Sequence, residues 1–196
     1  LKRAKRTASI GPYDRYSAYP VAGQHSMLHK KVEKARKVFE KSQFNWYAGP
    51  GDTPFIIITS GSGWLYSQEA VNILGLEDKV GILKLGTTWP LPEALVSSHL
   101  SHARDVLFVE EVDPFLEQNV KILSAERSDG KINFYGKSSN HIKGYFGAGI
   151  GEIDVDIVID ALAKLFNIEY APRGKEYVSS VQKLVRSYAP SRELAF

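Results

Sequence analysis

Apolar residues in this chain follow two rhythms that alternate. Residues 55–60, FIIITS, form a continuous apolar run of strand length, and the segment after it places Tyr66, Ala70 and Ile73/Leu74 at helical steps over 63–74. The pair recurs twice: VGILKL at 80–85 leads to a helix over 92–102, and VLFVEE at 106–111 leads to a helix carrying Leu116, Val120 and Leu123. A fourth strand, INFYG at 132–136, is followed by a loop with Gly144, Gly147, Gly149 and Gly151 and by EIDVDIVIDALAKLF. That helix has an apolar stripe of Val155, Val158/Ile159, Leu162 and Leu165/Phe166. Runs apolar throughout, rather than alternating, belong to strands buried on both faces. The pattern therefore predicts an α/β fold, a mostly parallel sheet covered by helices in a three-layer α/β/α arrangement.

The flanks read differently. Residues 1–24 carry no clear period and contain Gly11, Pro12 and Pro20, which predicts an arm with one short extended piece at 15–19. From His25 a helix is expected, with Leu28, Val32, Ala35 and Phe39 on one side, and 47–54 reads as a loop. A last helix at 175–188, with Val178, Val181 and Leu184/Val185, lies outside the alternation and predicts a connector. The expected division is an arm at 1–24, an α/β domain at 25–168 and a helix with linker at 169–196. Two helix starts are marked by charge. Asp113 precedes Pro114, and Glu152, Asp154 and Asp156 sit where the positive end of a helix dipole favours carboxylates.

Composition narrows the class. With 43% hydrophobic residues over 196 positions, one core can form without covalent staples. The chain has no cysteine, which removes disulfides, thiol catalysis and thiolate-bound zinc or iron–sulfur clusters. A net charge of +3, with basic and acidic residues interleaved beyond the first 43 positions, creates no field that would favour nucleic acid. No apolar segment approaches the roughly 20 residues that span a bilayer. The expectation is a cytoplasmic protein with no nucleic-acid or membrane partner.

Candidate chemistry is sparse. In a parallel sheet, ligands collect where loops leave the carboxyl ends of strands, here 59–63, 86–92 and 110–114. Ser60, Gly61, Ser62 and Gly63 resemble a phosphate nest at a helix start, but lack the Lys-Ser/Thr ending of a P-loop and the third small residue of a dinucleotide fingerprint. A tight structural turn is the competing reading. Glu110 and Glu111 end a strand, so they point to opposite faces and cannot form a catalytic carboxylate pair; one is expected buried and one solvated. His25 and His29 have metal-compatible spacing, yet Ser26 follows the first and no third ligand is evident, which favours a surface pair. His99 and His102 share a helix end, and no Ser–His–Asp arrangement stands out.

Taken together, IIITSGSGWLYSQEAVNIL, VGILKLGTTWPLPEALVSSHL and DVLFVEEVDPFLEQNV resemble the transketolase C-terminal-type domain of thiamine-diphosphate enzymes. More narrowly, GILKLGTTWPLP, VEEVDPFLEQNV, Gly136-Lys137 and Gly151-Glu152-Ile153 resemble the α subunit of the indolepyruvate ferredoxin oxidoreductases, in order over roughly residues 15–166. The insert SSNHIKGYFGAGI, with His141 and Lys143, departs from that pattern.

The resemblance implies a transketolase C-terminal-like sheet with one antiparallel edge strand, in a middle domain of a longer chain. It implies a parent that oxidatively decarboxylates arylpyruvates with coenzyme A and passes electrons through 4Fe-4S clusters to ferredoxin. Thiamine diphosphate and Mg2+ would be held by segments outside this chain, and the partners would be those segments, a β subunit, ferredoxin and coenzyme A. No catalytic, cofactor-binding or metal residue is expected here beyond the weak candidates at 60–63. Thr88, Trp89, Pro90, Glu110, Glu111 and Asp113 are the expected interface residues, and homodimerisation is open. The alternatives are a domain of a pyruvate or branched-chain 2-oxoacid:ferredoxin oxidoreductase, or a small module binding phosphate or coenzyme A.

Overall fold

The computed structural model describes residues 21–127, 131–144, 151–171 and 174–188. The expected extended piece at 15–19 and most of the glycine-rich loop lie outside these residues. The order is α1 (Val21–Phe39), β1 (Trp46–Ala48), β2 (Phe55–Thr59), α2 (Gly63–Ile73), β3 (Val80–Lys84), α3 (Glu93–Leu100), β4 (Asp105–Val109), α4 (Phe115–Arg127), β5 (Asn133–Tyr135), α5 (Val155–Phe166) and α6 (Lys175–Tyr188).

The sheet runs β1-β3-β2-β4-β5. Four strands are parallel: Phe55 lies beside Val80 on one side and Asp105 on the other, and Asp105 lies beside Asn133. The fifth, β1, is antiparallel to β3, with Trp46 beside Lys84. This is the expected mostly parallel sheet with one antiparallel edge strand. The overlap of β1 with the start of the segment read as a loop, 47–54, was not expected, because a three-residue Trp-Tyr-Ala strand is too short to show a period.

Alternation along the buried strands builds two cores. Ile57, Leu107 and Val109 face α2 and α5 together with Val80 and Ile82, while Ile56, Ile58, Leu83, Val106 and Phe108 face α3 and α4. Burying a Leu, Ile or Phe side chain contributes roughly 1.5–3 kcal/mol, so these two layers supply most of the cohesion. On α4, Leu116, Val120 and Leu123 are buried as expected, and on α5 so are Val158, Ile159 and Leu162.

Two stripes differ from the sequence reading. On α2 the buried residues are Trp64, Ser67, Ala70 and Val71, whereas Ile73 is exposed, because packing against α5 rotates the helix toward its small residues. The first helix begins at Val21 instead of His25, and Leu28 is exposed. The carboxyl end of α1 reaches the body. There Glu40 accepts bonds from the N–H groups of Ala94 and Leu95 at 3.0 and 2.8 Å, and Arg36 meets Glu93 at 2.8 Å.

Candidate interaction surface at the carboxyl edge of the sheet

The loop from β4 to α4 is built around Glu110. This residue is 4% exposed, and its carboxylate accepts from the N–H groups of Leu116 and Glu117 at 2.5 and 2.9 Å. These are two of the donors that the first turn of a helix leaves unsatisfied. Glu110 therefore caps α4 from outside it, the role the sequence suggested for Asp113, which instead lies exposed. Glu111 is exposed, so the pair divides into one buried and one solvated carboxylate as the strand geometry requires. Burial pushes the Glu110 carboxyl up to about 6, with Glu117 adding to the rise, while the two N–H bonds and the Lys137 ammonium hold it back.

Lys137 completes this loop. It is 7% exposed, and its Nζ donates to the carbonyl of Val112 at 3.0 Å and to that of Gly151 at 3.2 Å. The Val112 N–H also donates to Gly151 at 3.2 Å. Val112 sits at φ +60°, a conformation that costs a β-branched residue on the order of 1–3 kcal/mol and persists only where its surroundings impose it. Beneath lies Glu117, fully buried, accepting from Lys121 Nζ at 2.6 Å and from the Ser138 N–H at 3.2 Å. A Cβ on Gly136 would lie 2.5 Å from its Oε2, so the Gly-Lys pair is needed for close approach at the first position and for a long buried cation at the second.

The turn at 60–63 stands at a switch point, since α2 covers one face of the sheet and α3 and α4 the other. The chain's own groups fill that crevice. Thr59 Oγ1 donates to the Val109 carbonyl at 2.8 Å, and Leu85 N–H donates to the Thr59 carbonyl at 2.8 Å. A Cβ on Gly63 would lie 2.5 Å from Thr59 Oγ1 and 2.6 Å from the Val109 carbonyl. Gly61 has φ +56° and open space around it, so it serves the turn. Ser60 is half-buried, and Ser62 makes no side-chain cap bond, its Oγ being buried without a partner among the described residues.

Between β3 and α3, Asn45 holds the loop. Its Oδ1 accepts from the N–H groups of Gly86 and Thr87 at 2.9 and 3.0 Å, and its Nδ2 donates to the Phe39 carbonyl at 2.9 Å. Thr88 is half-buried, Pro90 is buried after a cis peptide bond, and Trp89 is 61% exposed with its ring 6.3 Å from that of Phe115, edge to face. Phe115, Val112, Phe44, Trp46 and Leu65 are exposed along the same edge. Trp46 packs edge to face on Trp64 at 5.1 Å, with Lys84 Nζ 5.3 Å from its centroid. Among the expected interface residues, Trp89, Glu111 and Asp113 face outward and Glu110 and Pro90 face inward. The sequence reading missed Asn45, Glu40 and the exposed aromatics on either side of β1. Asn45 reaches Gly86 and Thr87, and Glu40 reaches Ala94 and Leu95, all forty or more positions away, and no local signal marks them.

Other candidates stay apart from this edge. His25 and His29 are exposed on α1 with their Nε2 atoms 2.9 Å apart, and among the described residues no group of three or more His, Asp or Glu could hold a metal ion. His99 stacks on Tyr47 at 4.5 Å, and burial lowers its pKa, with His102 adding to the fall. No helix among the described residues is long and apolar enough to cross a membrane.

No protein-family profile matches the chain. It is 31% identical over 169 residues to the indolepyruvate oxidoreductase subunit IorA of Pyrococcus abyssi, covering 86% of this chain and 24% of that subunit. The Pyrococcus horikoshii subunit is 32% identical over the same shares, and that of Thermococcus kodakarensis is 32% identical over 85% of this chain and 24% of the subunit. The chain thus spans about a quarter of the length of the curated relatives it matches. Among solved structures, a 2-oxoglutarate:ferredoxin oxidoreductase from Magnetococcus marinus aligns over 74% of this chain and 24% of its own, at 22% identity and a TM-score of 0.48. A split-gene transketolase in an inactive β4 tetramer aligns over 64% and 42%, at 16% identity and 0.47. Through most of its length, this chain is similar to one segment of the indolepyruvate oxidoreductase IorA subunits.

Proposed function

We propose that this chain is a structural and interface domain, catalytically silent alone, of a thiamine-diphosphate-dependent arylpyruvate (indolepyruvate):ferredoxin oxidoreductase. The observation that carries this reading is the similarity of about 85% of the chain to a quarter of the IorA subunits, combined with strand-end loops bonded within the chain by Thr59, Asn45 and Glu110. The parent would oxidatively decarboxylate 2-oxoacids with coenzyme A in the cytoplasm, with a β subunit and ferredoxin as partners.

The residues present do not fit the cofactors of such an enzyme. A magnesium-bound diphosphate calls for oxygen ligands, mainly carboxylates, converging on the ion. At this edge Glu110 spends both oxygens on α4, and Glu117 is committed to Lys121 and Ser138. The exposed Glu111 and Asp113 belong to no group of three or more His, Asp or Glu among the described residues that could hold a metal ion. The nest at 60–63 is closed from below by Thr59 and Val109. A chain without cysteine offers no thiolates to an iron–sulfur cluster. The division of labour proposed is that the thiamine ylid acts in other segments of the parent, while this domain holds loops in fixed positions against them.

Isothermal titration of the 196-residue chain with thiamine diphosphate and Mg2+ tests the reading. No heat of specific binding is expected, and saturable micromolar binding would overturn it.

A further inference from the structure

Six of the large apolar side chains exposed on the described residues, Phe44, Trp46, Leu65, Trp89, Val112 and Phe115, share the carboxyl edge of the sheet. Four of them are aromatic. Aromatic side chains exposed together on one surface mark a place where another surface is buried, and Trp in particular supplies the anchors of such contacts.

This edge is preformed. Val112 is held at φ +60° by backbone and side-chain bonds from Gly151 and Lys137, and a buried carboxylate fixes the helix that carries Phe115. Trp89 follows a loop tied down by Asn45. Buried charges and a strained residue are thus engaged in keeping apolar groups pointed outward, an arrangement that lowers the ordering cost of docking. The rim beside Val112 is acidic, since Glu111 and Asp113 are both exposed.

We infer that the Trp89–Val112–Phe115 patch is the seat of another segment of the parent's own polypeptide, one presenting apolar side chains flanked by Lys or Arg. Two facts favour this occupant. The relatives are about four times as long as the part matched here, so such a chain carries further segments to pack against this domain. The acidic rim complements a basic partner surface and opposes a second copy of itself, which would bring Glu111 and Asp113 toward their own counterparts. The inference rests on the proposed role as an interface domain.

Hydroxyl-radical footprinting of the full-length parent polypeptide tests it, with like residues as internal references. Trp89 is 61% exposed against 5% for Trp64, and Phe115 is 44% exposed against 1% for Phe108. If the patch is covered, Trp89 and Phe115 oxidise within about twofold of Trp64 and Phe108; if it is open, they oxidise about tenfold faster, which overturns the inference. Protection that vanishes on dilution assigns the patch to a second copy, and protection that appears only when a separate subunit is added assigns it to that subunit. Either outcome overturns the occupant named here. In the covered case, Glu111→Lys with Asp113→Lys should raise Trp89 oxidation several-fold, and no change would exclude a basic partner surface. These outcomes are independent of the thiamine diphosphate titration, which addresses the domain's silence and not its contacts.

Discussion

At Glu110, desolvation and helix capping act on one carboxylate in opposite directions. Burial wins, and the group titrates at about 6 against an ordinary 4.5. Between these two values the folded protein keeps a proton that the unfolded chain releases. The contribution of Glu110 to stability is therefore fully present below pH 4.5, falls as pH rises through this window, and is lost above about 6. The shift corresponds to about 2 kcal/mol. Glu110→Gln cannot ionise, so urea titrations from pH 4.5 to 7 should show that fall in the natural chain and lose it in the variant; parallel profiles would contradict the assignment. Gly63 offers a second test at this scale. Gly63→Ala drives a methyl into Thr59 Oγ1 and the Val109 carbonyl, and should lower the unfolding free energy by about 2–3 kcal/mol as read from the urea midpoint. Gly61→Ala meets open space and should lose about 1 kcal/mol, from its positive φ alone.

Among the elements, three helix starts are closed by carboxylates, and how far each was legible depended on distance along the chain. Asp154 caps α5 by accepting from Ile157 three residues on, at 3.0 Å, and a carboxylate just ahead of an apolar stripe is a readable signal. Glu110 was visible as the end of a strand, but its service to Leu116 and Glu117 depends on how the loop at 111–114 folds back. Glu40 acts on Ala94 and Leu95, more than fifty positions away, which no local pattern encodes. The strands and the helix faces on α4 and α5 were legible because burial on both sides of a sheet imposes continuous apolar runs. The α2 face was legible only in part: Ala70 is buried as read, but Ile73 is exposed and the buried side includes Ser67, a small polar residue that hydropathy ranks with the surface. Glu40→Ala should cost about 1 kcal/mol and accelerate hydrogen exchange at Ala94 and Leu95, leaving α4 unaffected. Unchanged exchange at those two amides would show that α1 does not support α3.

For the whole molecule, neither core of the α/β body contains a described side chain of α6. Val181 and Leu184 are exposed, and both cores close without them. A chain ending at residue 171 should keep its urea midpoint to within about 0.5 kcal/mol, as removal of surface groups usually does. A loss of several kcal/mol would mean that α6 packs on the body. At this scale the six expected interface residues, Thr88, Trp89, Pro90, Glu110, Glu111 and Asp113, lie on two loops of one edge, and Trp89, Glu111 and Asp113 among them are exposed. Phe44 and Trp46 join the same edge because the antiparallel strand β1 brings the chain back alongside β3, and Leu65 because α2 starts just after β2.

That strand has a consequence for the domain when it stands alone. Both borders of the sheet, Trp46–Ala48 and Asn133–Tyr135, are three residues long, while the strands inside them have five. A border so short offers a neighbouring chain few backbone groups to zip onto. Strand addition, the usual route from a parallel sheet to fibrous aggregates, is thereby blunted. Unwanted association of this domain would start from its aromatic end and not from its borders, and would yield side-chain-mediated clusters that polar substitutions there disperse.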